Sequence, residues 1–195
     1  MQNPRHLHLI AIQRIIKYLL ATSSRGLFFP TDATIQLQAY NDANWTGSPN
    51  TKKSTIGWCM FLGDAPVSWK CKKQESVSKS FIEAKYRSMS VACSENIWLR
   101  GLFSKLGYLQ AAPTPLYVDN TSVIQIVANL VYHERTKHIE IDCHSIREAY
   151  DHKIITLHHV STSVQLADVF TKSLARQWRN FLVSKLMLVD SPASI

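Results

Sequence analysis

Cysteine is scarce in this sequence, and what there is lies scattered. Cys59, Cys71, Cys93 and Cys143 form no C-x-x-C pair. That spacing argues against a zinc site and against a disulfide framework, and it fits a reducing compartment. Long apolar runs are missing too. The apolar start, His8 to Leu20, is interrupted by Gln13, Arg14 and Lys17, and nothing reaches the roughly 18 residues that a membrane span needs. With no secretory signal either, the expected location is intracellular, cytoplasmic or nuclear, with no membrane partner. Acid is short as well: 14 Asp and Glu face 22 Lys and Arg, a net charge of +8 over 195 residues. A field of that sign favours a polyanion as partner, nucleic acid first. Hydrophobic residues make up 46%, which excludes a disordered chain and suits one domain with an appendage.

The periodicity predicts a helix over Arg5–Thr22, with Leu9, Ile12, Ile16, Leu19 and Leu20 on one face. Residues 28 to 34 read as a linker. Alternation predicts strands over Ile35–Tyr40, Ile56–Leu62 and Pro66–Cys71, the last two joined by a turn at Gly63 and Asp64. A long helix over Glu83–Leu106 is expected to bury Ala92, Leu99, Leu102, Phe103 and Leu106. Trp45, Trp58 and Trp98 read as core. A strand Pro115–Val118, helices Ser122–Leu130 and Glu134–His152, a strand Ile154–Val160 and helices Gln165–Lys172 and Ala175–Leu188 follow. Three antiparallel strands and then alternating helices and strands imply a mixed sheet whose second half is parallel.

With so few acids, their positions are informative. Asp42 follows the first predicted strand, Asp119 ends the strand Leu116–Val118, and Asp168 opens a helix after the last strand. Carboxyl ends of neighbouring parallel strands gather at one rim of a sheet. Three carboxylates there would repel one another, and a divalent cation with oxygen ligands, such as magnesium, would relieve that. The competing reading is that each Asp caps a helix or turn.

At these residues a resemblance enters. The segments AYNDANWTG, KKSTIGWCMFLG, PVSWKCKKQ, IEAKY, LYVDNTSV, RTKHIEIDCHSIRE and QLADVFTK occur in that order. They resemble the ribonuclease H domain of Ty/copia-type LTR retrotransposon polyproteins, over residues 35 to 189. Residues 1 to 30 resemble the helical end of the preceding reverse transcriptase, and 190 to 195 read as a tail. The resemblance implies an α/β (α+β) ribonuclease H-like fold, a five-stranded mixed sheet flanked by helices. It implies endonucleolytic cleavage of the RNA strand of an RNA–DNA hybrid, with the parent reverse transcriptase as a further partner. It also implies an Asp, Glu, Asp, Asp set binding two ions, Mg²⁺ or Mn²⁺, one activating the attacking water and the other stabilising the leaving oxygen. Matched residue by residue, three of the four fall on Asp42, Asp119 and Asp168.

The fourth does not. Where the family has the second Glu of STEAEY, this chain has Lys85. Glu83 cannot stand in for it, because residues two apart on a helix point about 200° apart. An ammonium at that place would pair with Asp42 or Asp119 and compete with the metal. The expectation is an impaired ribonuclease. The alternative is a non-catalytic nucleic-acid-binding remnant of a decayed retroelement. Phe81, Ile82, Asn44, Leu130, Cys143 and Ser173 are further departures from the family wording.

The richest basic region is Lys52, Lys53, Lys70, Lys72, Lys73 and Lys79. Together with Arg135 and Lys137 it is expected to contact hybrid phosphates, with salt-dependent and sequence-blind binding. His133, His138 and His144 invite a zinc reading, but no familiar ligand spacing completes it. Tyr117–Asn120 resembles a Y-x-D-D signature, but it precedes a helical pattern rather than closing a hairpin. His158 and His159 lie in a predicted strand, where histidine is more often structural.

Overall fold

A computed structural model describes residues 3, 5 to 32, 34 to 128 and 140 to 190, the last two and Glu140 by backbone only. Its elements are α1 (His6–Thr22), β1 (Arg25–Leu27), β2 (Leu37–Asn44), β3 (Thr55–Leu62), β4 (Ala65–Lys73), α2 (Phe81–Lys105), β5 (Thr114–Val118), α3 (Thr121–Ala128), α4 (Glu140–Asp151), β6 (Ile155–His159), a 3₁₀ turn (Thr162–Val164), α5 (Asp168–Thr171), α6 (Arg176–Ser184) and β7 (Leu188–Asp190).

Five strands form one sheet in the order β4-β3-β2-β5-β6. The two pairs on the β4 side are antiparallel and the two on the β6 side are parallel. This is the mixed sheet that the resemblance implies, in a ribonuclease H-like α/β fold. Both faces are covered, which explains why β3 reads as a nearly unbroken apolar run. Trp58 and Met60 point into a core shared with Tyr86, Met89 and Ala92 of α2 and Ile146 of α4. Cys59 and Phe61 point the other way, toward Leu166 and toward Leu182 of α6. No two of the four cysteines are joined by a disulfide.

The N-terminus of α2 is well capped. Ser80 Oγ accepts from Glu83 N at 3.1 Å, and Glu83 Oε2 accepts from Lys79 N at 2.7 Å. The first bond occupies a donor that the first turn leaves orphaned, and the second ties the residue before the cap to the helix. Glu83 is therefore a capping residue turned away from the carboxylates, and Arg87 holds its other oxygen at 2.6 Å.

Several expectations are corrected. The first strand runs on past Tyr40 to Asn44, so Asp42 lies inside it, paired with Gly57. The polar residues of this extension are held from within, as when Asn41 Nδ2 donates to Ser88 Oγ at 2.7 Å. The helix expected over Gln165–Lys172 is only α5. Gln165 precedes it in extended form, and its Nε2 donates to Asn41 O at 3.1 Å and Tyr117 O at 3.4 Å. The last helix stops at Ser184, and Leu188 belongs to β7, which pairs antiparallel with β1. Trp58 is core, but Trp98 is 59% and Trp45 41% exposed, and Leu102 and Leu106 are exposed too. Helical spacing places Trp98 and Leu102 away from the buried row Met89, Ala92, Asn96 and Leu99. Helix α1 buries no residue, and Leu7, Leu19 and Leu20 stand open.

Candidate functional site

Each carboxylate is placed by a different element. Asp42 sits in the middle of the sheet with no exposed surface. Asp119 follows the end of β5, the parallel neighbour of β2. It is not the cap of α3, because Asn120 Oδ1 accepts from Val123 N at 2.9 Å and fills that role. Asp168 is the first residue of α5 and is buried. Ligand oxygens of the three lie within 4.8 Å of one another.

What lets α5 come so close is Gly57. A β-carbon there would meet Phe170 Cβ and Thr171 Cγ2 at 2.7 Å, closer than such atoms approach. With only a hydrogen at that position, α5 lies directly on the β2–β3 pair. Thr171 Oγ1 then donates to Asp42 Oδ2, and Asn44 Nδ2 donates to Thr171 O at 3.2 Å.

Two ammonium groups share this space. Lys85, in the second turn of α2 and 2% exposed, donates to Oδ1 of both Asp42 and Asp119. Lys172, just after α5, donates to Asp168 Oδ1 at 2.7 Å. Its Nζ also lies 3.5 Å from Asp42 Oδ2 and 4.0 Å from Asp119 Oδ2. Burial alone would raise the Asp42 pKa. The two lysines and the Thr171 hydroxyl outweigh it and hold Asp42 below the ordinary carboxylate range. Burial pushes Asp168 up to about 6, with Asp42 and Asp119 adding to the rise against the pull of Lys172. Burial works against the charge of Lys172, but the surrounding carboxylates prevail and raise its pKa.

The residues present do not fit a two-metal centre. Three carboxylates stand where four are needed. Oxygens of Asp42 and Asp119 already accept from ammonium or hydroxyl groups. The structure brings Asp42, Asp119, Asp168 and Lys85, all singled out in the sequence, into one cluster. Sequence reasoning missed Lys172, Thr171 and Gly57. The signal for Lys172 was its place four residues after Asp168, on the same side of a helical turn.

Of the basic residues, Lys70, Lys72 and Lys73 line a groove of about 340 Å³ beside Gln74 and Ser76, and Arg87 of α2 joins them. They occupy the outer end of β4, an edge strand whose residues from Trp69 onward are exposed. Lys72 pairs with Glu75 at 2.9 Å, and Lys73 Nζ donates to Ser48 Oγ at 3.3 Å. Lys52 and Lys53 lie outside the groove, on the β2–β3 connection. Arg135, Lys137, His133, His138 and Leu130 lie outside the described residues. His158 is set against Thr156 Oγ1 at 3.0 Å and the Tyr117 ring. No helix among the described residues is long and apolar enough to cross a membrane.

No model of a known protein family matches the chain. Among curated proteins, it is 40% identical over 194 residues to the retrovirus-related Pol polyprotein from transposon RE1 of Arabidopsis thaliana. The identity is also 40%, over 195 residues, to that from transposon RE2 of the same plant. It is 34% identical over 176 residues, 90% of the chain, to the Pol polyprotein from transposon TNT 1-94 of Nicotiana tabacum. The chain spans only 13% of the length of each. Among solved structures, RNase H1 from Halobacterium salinarum aligns with a TM-score of 0.49 at 16% identity, over 70% of this chain and 94% of that one. The N-terminal RNase H domain of a Mycobacterium tuberculosis protein, fused to maltose-binding protein, aligns at 0.48 and 11%, over 77% and 98%.

Proposed function

Since the chain belongs to the retrovirus-related Pol polyproteins of transposons, as a segment with a ribonuclease H-like fold, we propose that it engages the backbone of RNA–DNA hybrids with its hydrolytic step suppressed. The observation that carries this reading is Lys85, whose ammonium donates to both Asp42 and Asp119. The relatives' polyprotein context supports hybrid as the substrate class. The groove of Lys70, Lys72, Lys73 and Arg87 supports a backbone-directed, salt-sensitive grip. Hybrid would be recognised there by shape and phosphate spacing rather than by base edges. On this reading α1 is the end of a reverse transcriptase domain. Its bare apolar face is what such a helix would have when parted from that domain.

If a divalent cation were held here, Asp42, Asp119 and Asp168 would hold it, and it would polarise a phosphodiester and activate water. The chain's own residues do something else. Lys85 and Lys172 neutralise the carboxylates, Thr171 fixes the rotamer of Asp42, and Gln165 ties β2, β5 and the segment before α5 together.

The test is cleavage of an RNA–DNA hybrid labelled on the RNA strand, in Mg²⁺ or Mn²⁺, by the full chain and by Lys85→Glu. The parent is expected to bind hybrid without cutting it, and the variant, with four carboxylates, to cut. Efficient cleavage by the parent would overturn the suppressed-hydrolysis reading. Failure of the parent to bind hybrid at low salt would overturn the nucleic-acid reading itself.

A further inference from the structure

The two lysines divide the carboxylate oxygens between them. Lys85 takes Oδ1 of Asp42 and of Asp119. Lys172 faces Oδ2 of the same two residues and adds Oδ1 of Asp168. Each ammonium thus lies near the same two carboxylates, at different oxygens. Their surroundings differ sharply. The Lys85 side chain is 3% exposed, inside the packed start of α2, while that of Lys172 is 29% exposed, at the mouth of the cluster.

We propose that Lys172 is a positioning residue, an exchangeable counter-ion that stands in for a divalent cation, so that the folded site needs no metal and an entering cation displaces Lys172 rather than Lys85. This deepens the reading given above and rests on it for the identity of the cluster.

The physical case has three parts. First, three buried carboxylates with no positive neighbour would repel one another and lose hydration without compensation, so a folded cluster requires cations. Two ammonium groups and the Thr171 hydroxyl leave a single net negative charge, a load that a partly solvated site carries. Second, removing Lys85 would need movement of α2, whose second turn is tied to β2 through Ser88, its Oγ donating to Asp42 O at 2.8 Å. Removing Lys172 needs only rotation of one side chain into solvent, because it follows a four-residue helix and lies at the rim. Third, Lys172 makes one close hydrogen bond, 2.7 Å to Asp168, and two looser approaches of 3.5 and 4.0 Å. A small divalent ion with oxygen ligands near 2.1 Å would draw all three carboxylates closer than an ammonium can.

The experiment uses the full chain and three variants, Lys172→Met, Lys172→Arg and Lys85→Met. Thermal melting is recorded in EDTA and in millimolar Mn²⁺ or Mg²⁺, with calorimetric titration of the same ions. The parent is expected to melt at nearly one temperature in all buffers and to bind the ion only weakly, since the ion must first displace Lys172. Lys172→Met should melt lower in EDTA, recover in Mn²⁺, and bind one ion at least tenfold more tightly than the parent. Lys172→Arg should behave as the parent, since it returns a cation to the same place. Lys85→Met should melt lower, and Mn²⁺ should not restore it fully. A parent stabilised by Mn²⁺ as strongly as Lys172→Met would overturn the proposal. So would a Lys172→Met chain that gains neither stability nor heat from the ion. If Lys172→Met does not fold in EDTA, folding on addition of Mn²⁺ supports the proposal and persistent unfolding refutes it. Hybrid binding by the parent in EDTA, scored separately, tells failure of the counter-ion proposal from failure of the functional reading.

Discussion

Gly57 is the register partner of Asp42, and its missing side chain leaves room for Thr171 to reach the Asp42 carboxylate. Backbone packing and site chemistry are thus joined at one pair of residues on adjacent strands. In Gly57→Val, the new side chain would have to displace the backbone of α5 as well as Phe170. Overpacking of this kind costs about 1–3 kcal/mol, and the Thr171–Asp42 hydrogen bond should be lost with it. Urea unfolding should give a lower midpoint at unchanged slope. An unchanged midpoint would mean that α5 is not seated against β3.

Helix α1 and strand β1 should separate in their importance. Removing residues 1 to 22 takes away a helix with no buried residue, and should lower the melting temperature little. Carrying the deletion through Leu27 removes the partner of β7 and, with Arg25 and Leu27, a further part of the wall of the cavity of about 500 Å³ from which Tyr18 and Thr22 are already gone. That longer truncation should melt distinctly lower. Equal melting of the two would show that the β1–β7 ribbon contributes nothing.

The two most affected carboxylates act on stability in opposite senses. Asp168 has its folded pKa raised to about 6 from 3.8. Its contribution is complete below the unfolded value and is lost as pH rises through about 6, because the folded chain keeps a proton that the unfolded chain releases. Asp42 has a lowered folded pKa, so its contribution is present above the unfolded value and is lost as pH falls through the folded one. Asp168→Asn should therefore gain on the parent in melting temperature as pH rises from about 4 to 7. A constant difference across that range would show that Asp168 does not titrate there.

Hybrid affinity should fall steeply with salt, and the slope should be shallower when Lys70, Lys72 and Lys73 are all replaced by alanine. Each phosphate contact contributes about 0.7–0.9 to that slope. The Lys72–Glu75 pair is exposed, so the replacements should leave folding intact, surface pairs of this kind being worth little. An unchanged slope would place the hybrid on another face.

Much of this was legible beforehand because it is local. The run Ile56–Leu62, the Gly63–Asp64 turn and the β4 segment carry their own period and punctuation, and β3 extends its range by one residue and β4 by three. Lys85 was legible as a misfit because the resemblance implies an acid at that position, and helical spacing keeps Glu83 from standing in for it. Other features were not local. Strands β1 and β7 are three residues each and find one another across the whole domain, with no periodicity to announce them. Lys172 has only its spacing of four from Asp168 to mark it in sequence. Only the close seat of α5 over Gly57 turns it toward Asp168 and its neighbours. Trp98 misled because a large aromatic ring in a long helix usually marks the core, and here it lies on the outer side of α2.

The parallel pairing of β2 with β5 also sets the order in which the cluster assembles. Strands β2, β3 and β4 follow one another through short connections and can zip up by themselves, whereas β5 reaches β2 only after the 25-residue α2 has crossed the sheet. Non-local pairings of this kind form late, since a long loop must close first. The crossover that delivers Asp119 is the same segment that carries Lys85. The chain therefore brings a positive charge to Asp42 before or together with the second carboxylate, and the repulsive intermediate, two bare aspartates side by side, is avoided by connectivity. Pulse-labelled amide exchange during refolding reads that sequence of events, with Trp58 and Cys59 protected ahead of Leu116 and Leu157.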